Sequence, residues 1–182
     1  MKALILAGGR GRRLDELSEK KNKCMIEVGG RPIIENSIQY VIKTNISEII
    51  IVVGYKAEEI INYFGNEYKG KKIKYVIQWE QEGLVHAIEY AKEAVAGDDF
   101  MLLLADEVII DPRHSHMIEE FNKGEVFAIC GVLNVENKEY IRRTYTLIHD
   151  KNDMIYRLIE KPRAPLNSIM GTGSCIFSND IL

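Results

Sequence analysis

The 182-residue sequence contains only three cysteines, four prolines and one tryptophan. Cys24, Cys130 and Cys175 are odd in number, far apart and without the close spacing of metal ligands. This excludes a disulfide framework and a cysteine-based zinc site, and it favours reduced thiols in a cytoplasmic protein. The simplest interpretation of all three is as small buried hydrophobic side chains.

A long hydrophobic run and a basic tail are also missing. The N-terminal apolar run ends at Gly8, which makes it far too short for a signal-peptide core or a membrane span. The net charge of -3 is spread over the chain, so we expect neither nucleic acid nor a membrane as a partner, and any bound polyanion should be small. Because domains average about 150 residues, the length predicts a single domain, 1–182.

Five short apolar runs predict strands, and helical patterns lie between them. The runs are KALILA, EIIIVVGY, KIKYVIQ, DFMLLLAD and VFAICGV, of which the first, second and fourth are apolar enough to be buried on both faces. Apolar spacing of three and four residues predicts helices near 34–42, 57–64 and 84–95. The alternation predicts an α/β fold with a Rossmann-like, mainly parallel (mixed) sheet and helices on both faces.

The C-terminal half has a different pattern. From about Val126 the sequence leads into YTLIHDKNDMIYRLIEKP, in which two strand-like runs flank the turn signal DKND. We therefore expect a β-rich excursion containing a hairpin. In open α/β sheets, ligands bind beyond the carboxyl ends of the strands, and this rule brings the glycine-rich turn after the first strand, Gln78 and Asp106 to one edge.

The glycine-rich turn Gly8–Arg13 can point successive backbone N–H groups at an anion. It is not a Walker loop, because no Gly-Lys-Ser/Thr follows, and it lacks the acidic partner of a dinucleotide-binding turn. The loop is cationic, which suits a triphosphate, although the residues alone also allow a solvated basic loop. Its charged residues are Arg10, Arg12, Arg13, Lys20, Lys21 and Lys23 against Asp15, Glu16 and Glu19.

LILAGGRGRRL followed by NKCMIEVGGRPII resembles the signature of the sugar-1-phosphate nucleotidyltransferases, the sugar-nucleotide pyrophosphorylases. The segments QWEQEGLVHAI, LLLADE, EKP and GTGSCIF resemble further motifs of that family in the same order, so that the similarity extends from Lys2 to Phe177. Within the family, the chain is most similar to thymidylyl- and uridylyltransferases acting on glucose-1-phosphate. The resemblance implies a Mg²⁺-dependent in-line attack of a sugar-1-phosphate on the α-phosphorus of a nucleoside triphosphate, releasing pyrophosphate.

The same resemblance implies a role for each matching residue. Arg13 and Lys23 would be the catalytic cations on the phosphates, and Asp106 would hold Mg²⁺. The nucleotide would be bound by Ala7, Gly8, Gly9, Gly11, Gln78 and Gly83, and the sugar phosphate by Glu160, Lys161 and Gly173. From the residues alone, we would predict that Gln78 is a strand-end residue that faces water and that Asp106 is a turn residue. Glu107 receives no ligand role, because successive side chains in an extended segment point apart.

Two of the departures from the family pattern are serious. Tyr145 stands where the family has a glycine that lines the sugar pocket, and the chain reaches Leu182 without a match for the family's second metal-binding aspartate. We therefore expect a nucleotidyltransferase domain without the family's C-terminal segment, either a fragment or a short member.

Three alternatives to a sugar-1-phosphate nucleotidyltransferase remain open. They are a catalytically weak nucleotide-sugar-binding homologue with a regulatory role, transfer to a non-sugar phosphate such as phosphocholine, and, least favoured, a dinucleotide-dependent oxidoreductase. A homo-oligomer is possible. His114 and His116 are expected to start a helix with exposed imidazoles, and the tyrosines at 140, 145 and 156 are expected to pack in the β-rich region.

Overall fold

The computed structural model of the protein describes residues 1–11 and 21–182, which form an α/β fold. Arg13 therefore lies outside the described residues. In chain order the strands and helices are β1 (Lys2–Ala7), β2 (Glu27–Val28), β3 (Arg31–Pro32), α1 (Ile34–Ile42), β4 (Glu48–Val53), α2 (Ala57–Phe64), β5 (Glu67–Tyr68), β6 (Lys71–Ile77), α3 (Leu84–Val95), β7 (Phe100–Leu104), α4 (His114–Phe121), β8 (Ala128–Asn134), β9 (Tyr145–His149), β10 (Ile155–Glu160) and β11 (Ile169–Phe177).

The main sheet has the order β5-β6-β4-β1-β7-β11-β8. Strands β6, β4, β1 and β7 run parallel, whereas β11 is antiparallel to β7, and β8 is antiparallel to β11. Helices connect the parallel strands, as the alternating sequence pattern predicted. The prediction of a mixed, mainly parallel sheet is confirmed.

Apolar clusters cover both faces of the sheet. Neighbouring side chains of β1 point to opposite faces: Ala3 and Ile5 belong to a cluster with residues of α1, α2 and α4, whereas Leu4 belongs to a cluster with Ala87 and Ala91 of α3. Side chains 49–53 of β4 are fully buried. This burial on two faces explains why the central strands are continuously apolar in sequence.

The C-terminal half contains the predicted hairpin, in which β9 pairs with β10 in antiparallel orientation outside the main sheet. Tyr145 packs there as expected, with its ring against the backbone of Gly171. The expectation is wrong for Tyr140 and Tyr156, which are 56% and 73% exposed because they lie on the solvent side of this region.

Helix α4 begins at His114, as predicted, but the imidazole of His114 is buried and only that of His116 is exposed. The His114 ring stacks on Tyr40 with the ring centroids 4.9 Å apart, and its Nε2 lies 3.0 Å from Ser174 Oγ. Burial lowers the pKa of His114. The first turn of α4 packs against the sheet, which explains the failure of the exposure prediction. Among the helices of residues 1–11 and 21–182, none has both the length and the apolar character needed to traverse a bilayer.

Candidate active site

A cleft of about 510 Å³ opens beyond the carboxyl ends of β1, β6 and β7. Its polar side chains and its glycines come from segments that are far apart in sequence, as the edge rule for parallel sheets predicts. The lining residues are Leu6, Gly8, Gly9, Arg10, Lys23, Gln78, Gln81, Gly83, Leu84, Ala87, Leu104 and Asp106.

Six residues that the resemblance selected therefore share one cleft. Of the remaining ones, Ala7 is buried, Gly11 contacts the side chain of Lys23, and Glu160, Lys161 and Gly173 do not line this cleft. The six that meet are Gly8, Gly9, Lys23, Gln78, Gly83 and Asp106.

Two buried neighbours hold the backbone of Lys23. Asn22 is fully buried; its Oδ1 accepts a hydrogen bond from Cys24 N at 2.8 Å, and its Nδ2 donates to Tyr55 O at 2.6 Å. Cys24 is also fully buried, and burial raises the pKa of its thiol to about 12. A short 3₁₀ turn, Lys23–Met25, is thus capped and anchored on both sides of the lysine.

The ammonium of Lys23 extends into the cleft and reaches the carboxylate of Asp106. Lys23 Nζ lies 2.6 Å from Asp106 Oδ2, and the side chains are 23% and 42% exposed. Gly9 and Gly11 adjoin the lysine side chain, so the glycine-rich turn and the lysine loop are in contact. The site therefore combines the anchored ammonium of Lys23, the accessible carboxylate of Asp106 and the backbone of a glycine-rich turn.

The glycine at position 8 allows the turn after β1 to approach Gln78. A Cβ atom added to Gly8 would lie 2.7 Å from Gln78 Oε1, too close for any other residue without a shift of the amide. Gln78 is only 4% exposed. It is therefore part of the cleft wall, and the interpretation as a water-facing strand end is wrong.

His86 orients the amide of Gln78. Its Nδ1 lies 3.2 Å from Gln78 Nε2, and its Nε2 lies 3.9 Å from Glu82 Oε2. An amide nitrogen only donates hydrogen bonds, so Nδ1 of the ring is the acceptor in this contact. The amide then donates from Nε2 to His86 and leaves Oε1 as an acceptor beside Gly8.

Sequence reasoning missed Arg10, Gln81 and His86 as individual site residues. The guanidinium of Arg10 lies 5.6 Å from the centre of the Tyr55 ring and lines the cleft together with Gln81. Arg10 was visible only as one charge of a cationic loop. The position of His86 in the sequence offered one clue. It lies in the first turn of the helix that begins after Gly83, and Gln78 directly follows the strand before that helix.

Gly173 lies directly behind the cleft. Its N–H donates to both carboxylate oxygens of Glu107, at 3.1 and 2.9 Å, and a Cβ atom at this position would overlap Leu104, a lining residue. Burial raises the pKa of Glu107, and the hydrogen bond from Gly173 acts in the opposite direction. Asp106 and Glu107 have different partners, because Asp106 pairs with Lys23 whereas Glu107 accepts from Gly173.

Glu160 is the last residue of β10, Lys161 follows it, and neither residue lines this cleft. Their side chains are 76% and 59% exposed, with Lys161 Nζ 2.7 Å from Glu160 Oε1. The Lys161 backbone N–H donates to Thr144 O at 2.7 Å, which ties the pair to the residue preceding Tyr145. Their role toward a sugar phosphate stays a prediction.

Tyr145 and Gly171 are complementary in size. The Tyr145 ring occupies the space that a Cβ atom of Gly171 would need, and its hydroxyl donates to Thr172 O at 3.2 Å. The position where the family pattern has glycine is thus filled by a large ring whose space comes from a glycine on β11.

Replacing Gly171 by alanine is expected to lower the free energy of unfolding by about 3 kcal/mol, the upper part of the range for overpacking. The added methyl group must displace the Tyr145 ring. Urea denaturation of the single and double variants checks this, because Gly171→Ala should cost much less in a Tyr145→Ala background. An equal cost in both backgrounds would contradict the proposed complementarity.

Comparison with known proteins agrees with this fold. Residues 2–182 match the family described as Nucleotidyl transferase. The chain is 34% identical over 178 residues to the UTP–glucose-1-phosphate uridylyltransferase AglF of Haloferax volcanii, covering 98% of this chain and 72% of that protein. It is 35% identical over 163 residues to the bifunctional protein GlmU of Methanococcus maripaludis, covering 90% of this chain and 36% of that protein.

A solved structure has the same architecture. The putative glucose-1-phosphate thymidylyltransferase from Bacillus anthracis, crystallised with sucrose, superposes with a TM-score of 0.90 and 26% identity, covering 100% of this chain and 72% of that one. The chain belongs to the nucleotidyltransferase family and has the fold of its sugar-nucleotide-forming members. It spans 72% of the length of the first relative and 36% of the second.

Proposed function

We propose that this protein transfers a nucleotidyl group from UTP or dTTP to glucose-1-phosphate, giving a nucleotide-sugar and pyrophosphate. The observation that carries the proposal is the convergence of Lys23, Asp106, Gln78 and the glycine-rich turn in one cleft. The names of the Haloferax volcanii relative and of the Bacillus anthracis structure both include glucose-1-phosphate and differ in the nucleotide, uridylyl in the first and thymidylyl in the second.

The phosphate end of the cleft has the electrostatics that this reaction needs. Negative charge at the α-phosphorus rises as the fifth oxygen approaches, and a fixed cation stabilises that charge. Lys23 is held by buried neighbours, so little reorganisation is required of it. A triphosphate would compete with Asp106 for the ammonium. No general base is required, because a sugar phosphate near neutral pH is already an anionic nucleophile.

Magnesium is the metal that the resemblance implies, and Asp106 is its candidate ligand. Among the residues that the structure describes, no group of three or more His, Cys, Asp or Glu side chains surrounds a metal position. A single accessible carboxylate still fits Mg²⁺, which is commonly held by one or two carboxylates together with phosphate oxygens and water. When bound, Mg²⁺ would neutralise part of the charge on the phosphates.

The base end of the cleft supports a pyrimidine with a hydrogen-bond donor at N3. Uracil and thymine carry N3–H between two carbonyl groups, whereas N3 of cytosine is an acceptor. The oriented Oε1 of Gln78 accepts from N3–H and would face a second acceptor in cytosine. This hydrogen bond distinguishes UTP and dTTP from CTP. UTP and dTTP differ from each other at C5 of the base and at the 2′ position of the sugar, which Gln78 does not contact in this arrangement.

The test is pyrophosphate release by the 182-residue chain. Each of UTP, dTTP, CTP, GTP and ATP is combined with Mg²⁺ and either glucose-1-phosphate, another sugar-1-phosphate or phosphocholine. Release that requires both glucose-1-phosphate and UTP or dTTP supports the proposal. Release with phosphocholine, or nucleotide binding without any release, would instead support one of the alternative activities.

Replacing Gln78 by alanine is expected to raise the KM for UTP or dTTP about tenfold or more, since a lost hydrogen bond to a buried group costs about 1–3 kcal/mol. Preference over CTP should fall in parallel, because the variant no longer opposes the cytosine acceptor. Gln39→Ala, an amide on α1 away from the cleft, serves as the control. Unchanged discrimination in Gln78→Ala would remove this residue from base recognition.

A further inference from the structure

Two of the three cysteines are partners in the sheet. Cys130 of β8 and Cys175 of β11 stand directly opposite each other in the antiparallel register, and both are free thiols. Directly opposed residues have Cα atoms about 4.5–5.5 Å apart and side chains on the same face. That separation lies within the range of about 4.4–6.8 Å that disulfides span. The two cysteines are 45 positions apart in sequence, and nothing in the sequence indicates that they are neighbours.

The two thiols differ in their surroundings. Cys175 is 8% exposed and packs in the apolar cluster under α3, whereas Cys130 is only half-buried. The Tyr145 hydroxyl lies 3.9 Å from Cys175 Sγ. A small solute therefore reaches Cys130 first, with Cys175 immediately behind it.

The thiols also differ in acidity, and the contacts explain why. The neighbouring Cys175 thiol lowers the pKa of Cys130, burial acts in the opposite direction, and Tyr145 lowers it further. The pKa of Cys175 is raised by the neighbouring Cys130 and by burial. Cys24, which is buried, has its pKa raised to about 12. The arrangement is that of an attacking and a resolving cysteine.

We propose that Cys130 and Cys175 form a redox-active dithiol that hydroperoxides oxidise to a reversible disulfide between β8 and β11. The Cys130 thiol loses its proton to solvent, and the thiolate attacks the terminal oxygen of the hydroperoxide. The O–O bond breaks, and the departing alkoxide, or hydroxide in the case of hydrogen peroxide, takes up a proton from solvent and leaves as an alcohol or water, which gives the sulfenic acid. Cys175 sulfur then attacks the Cys130 sulfur, the S–O bond breaks, and the hydroxide leaves as water with the Cys175 proton. The two sulfurs lose two electrons in total, and the peroxide gains them.

The position of the pair gives the disulfide a structural consequence. The chain between Cys130 and Cys175 contains the entire β9–β10 hairpin together with Glu160 and Lys161. The register of β11 against β8 shifts between Gly171 and Cys175, so the pair stands at the end of this irregular stretch. A disulfide would close the excursion at its base, and constraint of the unfolded chain should raise the thermal unfolding midpoint.

To test this proposal, the folded wild-type chain is treated with a small excess of hydrogen peroxide. The reaction is then quenched, the protein is unfolded, and its free thiols are counted. The expected result is a fall from three thiols to one, a mass decrease of two hydrogen atoms in the monomer, and full recovery with dithiothreitol. Three thiols persisting, or a disulfide found only between two chains, would overturn the proposal.

Single substitutions separate the two thiol roles. Cys175→Ser should stop the reaction at a Cys130 sulfenic acid that dimedone traps, Cys130→Ser should retain both thiols at the same peroxide dose, and Cys24→Ser should still form the disulfide. A sulfenic acid that accumulates in the wild-type chain without a disulfide would exclude Cys175 as the resolving thiol. Because the wild-type mass measurement decides the main point, a variant that fails to fold does not affect it.

The pH dependence of alkylation gives an independent readout. The titratable groups that face Cys130 are Cys175 and Tyr145, and both have raised pKa values. The thiolate is lost as the pH falls through the pKa, and these neighbours lower the pKa of Cys130, so its rate with iodoacetamide should level off at a lower pH than the rate of an ordinary exposed thiol. A rate that keeps rising beyond pH 9 would show an ordinary thiol instead of a poised one.

Discussion

Replacing Lys23 by alanine is expected to lower kcat for nucleotidyl transfer by about 10²–10³-fold or more, the usual effect of removing one fixed donor from a developing anion. The physical reason is that the ammonium meets charge that increases in the transition state, so its loss affects turnover more than ground-state binding. The structure supports this choice because Asn22 and Cys24 fix the lysine backbone, while its Nζ reaches the cleft beside Asp106.

Lys21 provides the matched control for this variant. It lies two positions earlier in the same loop, and its exposed ammonium is paired with Glu27 at 3.3 Å, away from the cleft lining. Lys21→Ala should therefore retain kcat within about twofold, since exposed ion pairs contribute little. Pyrophosphate release under saturating substrates measures both variants. A Lys23→Ala protein with wild-type kcat would remove the lysine from the chemistry.

The fold was predictable because its central strands are buried on two faces. Such strands must be apolar at every position, as in residues 49–53, whereas the helices between them need only one apolar face. Continuously apolar strands and helices with one apolar face are therefore easy to tell apart in the sequence. Because connections are short and crossovers are right-handed, these strands and helices can be assembled in only a few topologies. The antiparallel placement of β11 beside β7 had no comparable signal, because strand pairing at large sequence separation is not encoded locally.

Part of the candidate site was predictable for the same reason. Lys23 and Asp106 are 83 positions apart, yet the loop after one strand and the residue after another meet at the same sheet edge. Side-chain orientation was less accessible. The Gln78 amide is set by His86, and the burial of His114 depends on Tyr40 and Ser174, contacts that exist only after α1, α4 and β11 have packed.

Tyr145 shows how a departure from a family pattern can be compensated elsewhere. Its ring stands where the pattern has a glycine, and the space for the ring is provided by Gly171, which lies 26 positions later. The contact between these two residues could not be predicted from a single sequence. The same applies to Cys130 and Cys175, which look unrelated in sequence and are directly opposed in the sheet.

Replacing Asp106 by asparagine is expected to have two effects of opposite sign. The carboxylate is the candidate Mg²⁺ ligand, and the amide is a much poorer one, so Mg²⁺-dependent turnover should fall by at least about 10²-fold. The same carboxylate competes with phosphates for Lys23 at 2.6 Å. Nucleoside triphosphate binding measured in EDTA should therefore become as tight as in the wild type or tighter.

Asp111→Asn is the control for this substitution. Asp111 is exposed on the loop that follows β7, and its positive φ of 54° is one that asparagine adopts readily. It should change neither turnover nor binding. If Asp106→Asn weakens triphosphate binding in EDTA as much as it lowers turnover, the residue acts by maintaining the cleft, and a metal-binding role is excluded. If only turnover falls, and additional Mg²⁺ partly restores it, the carboxylate holds the metal while Lys23 binds the phosphates.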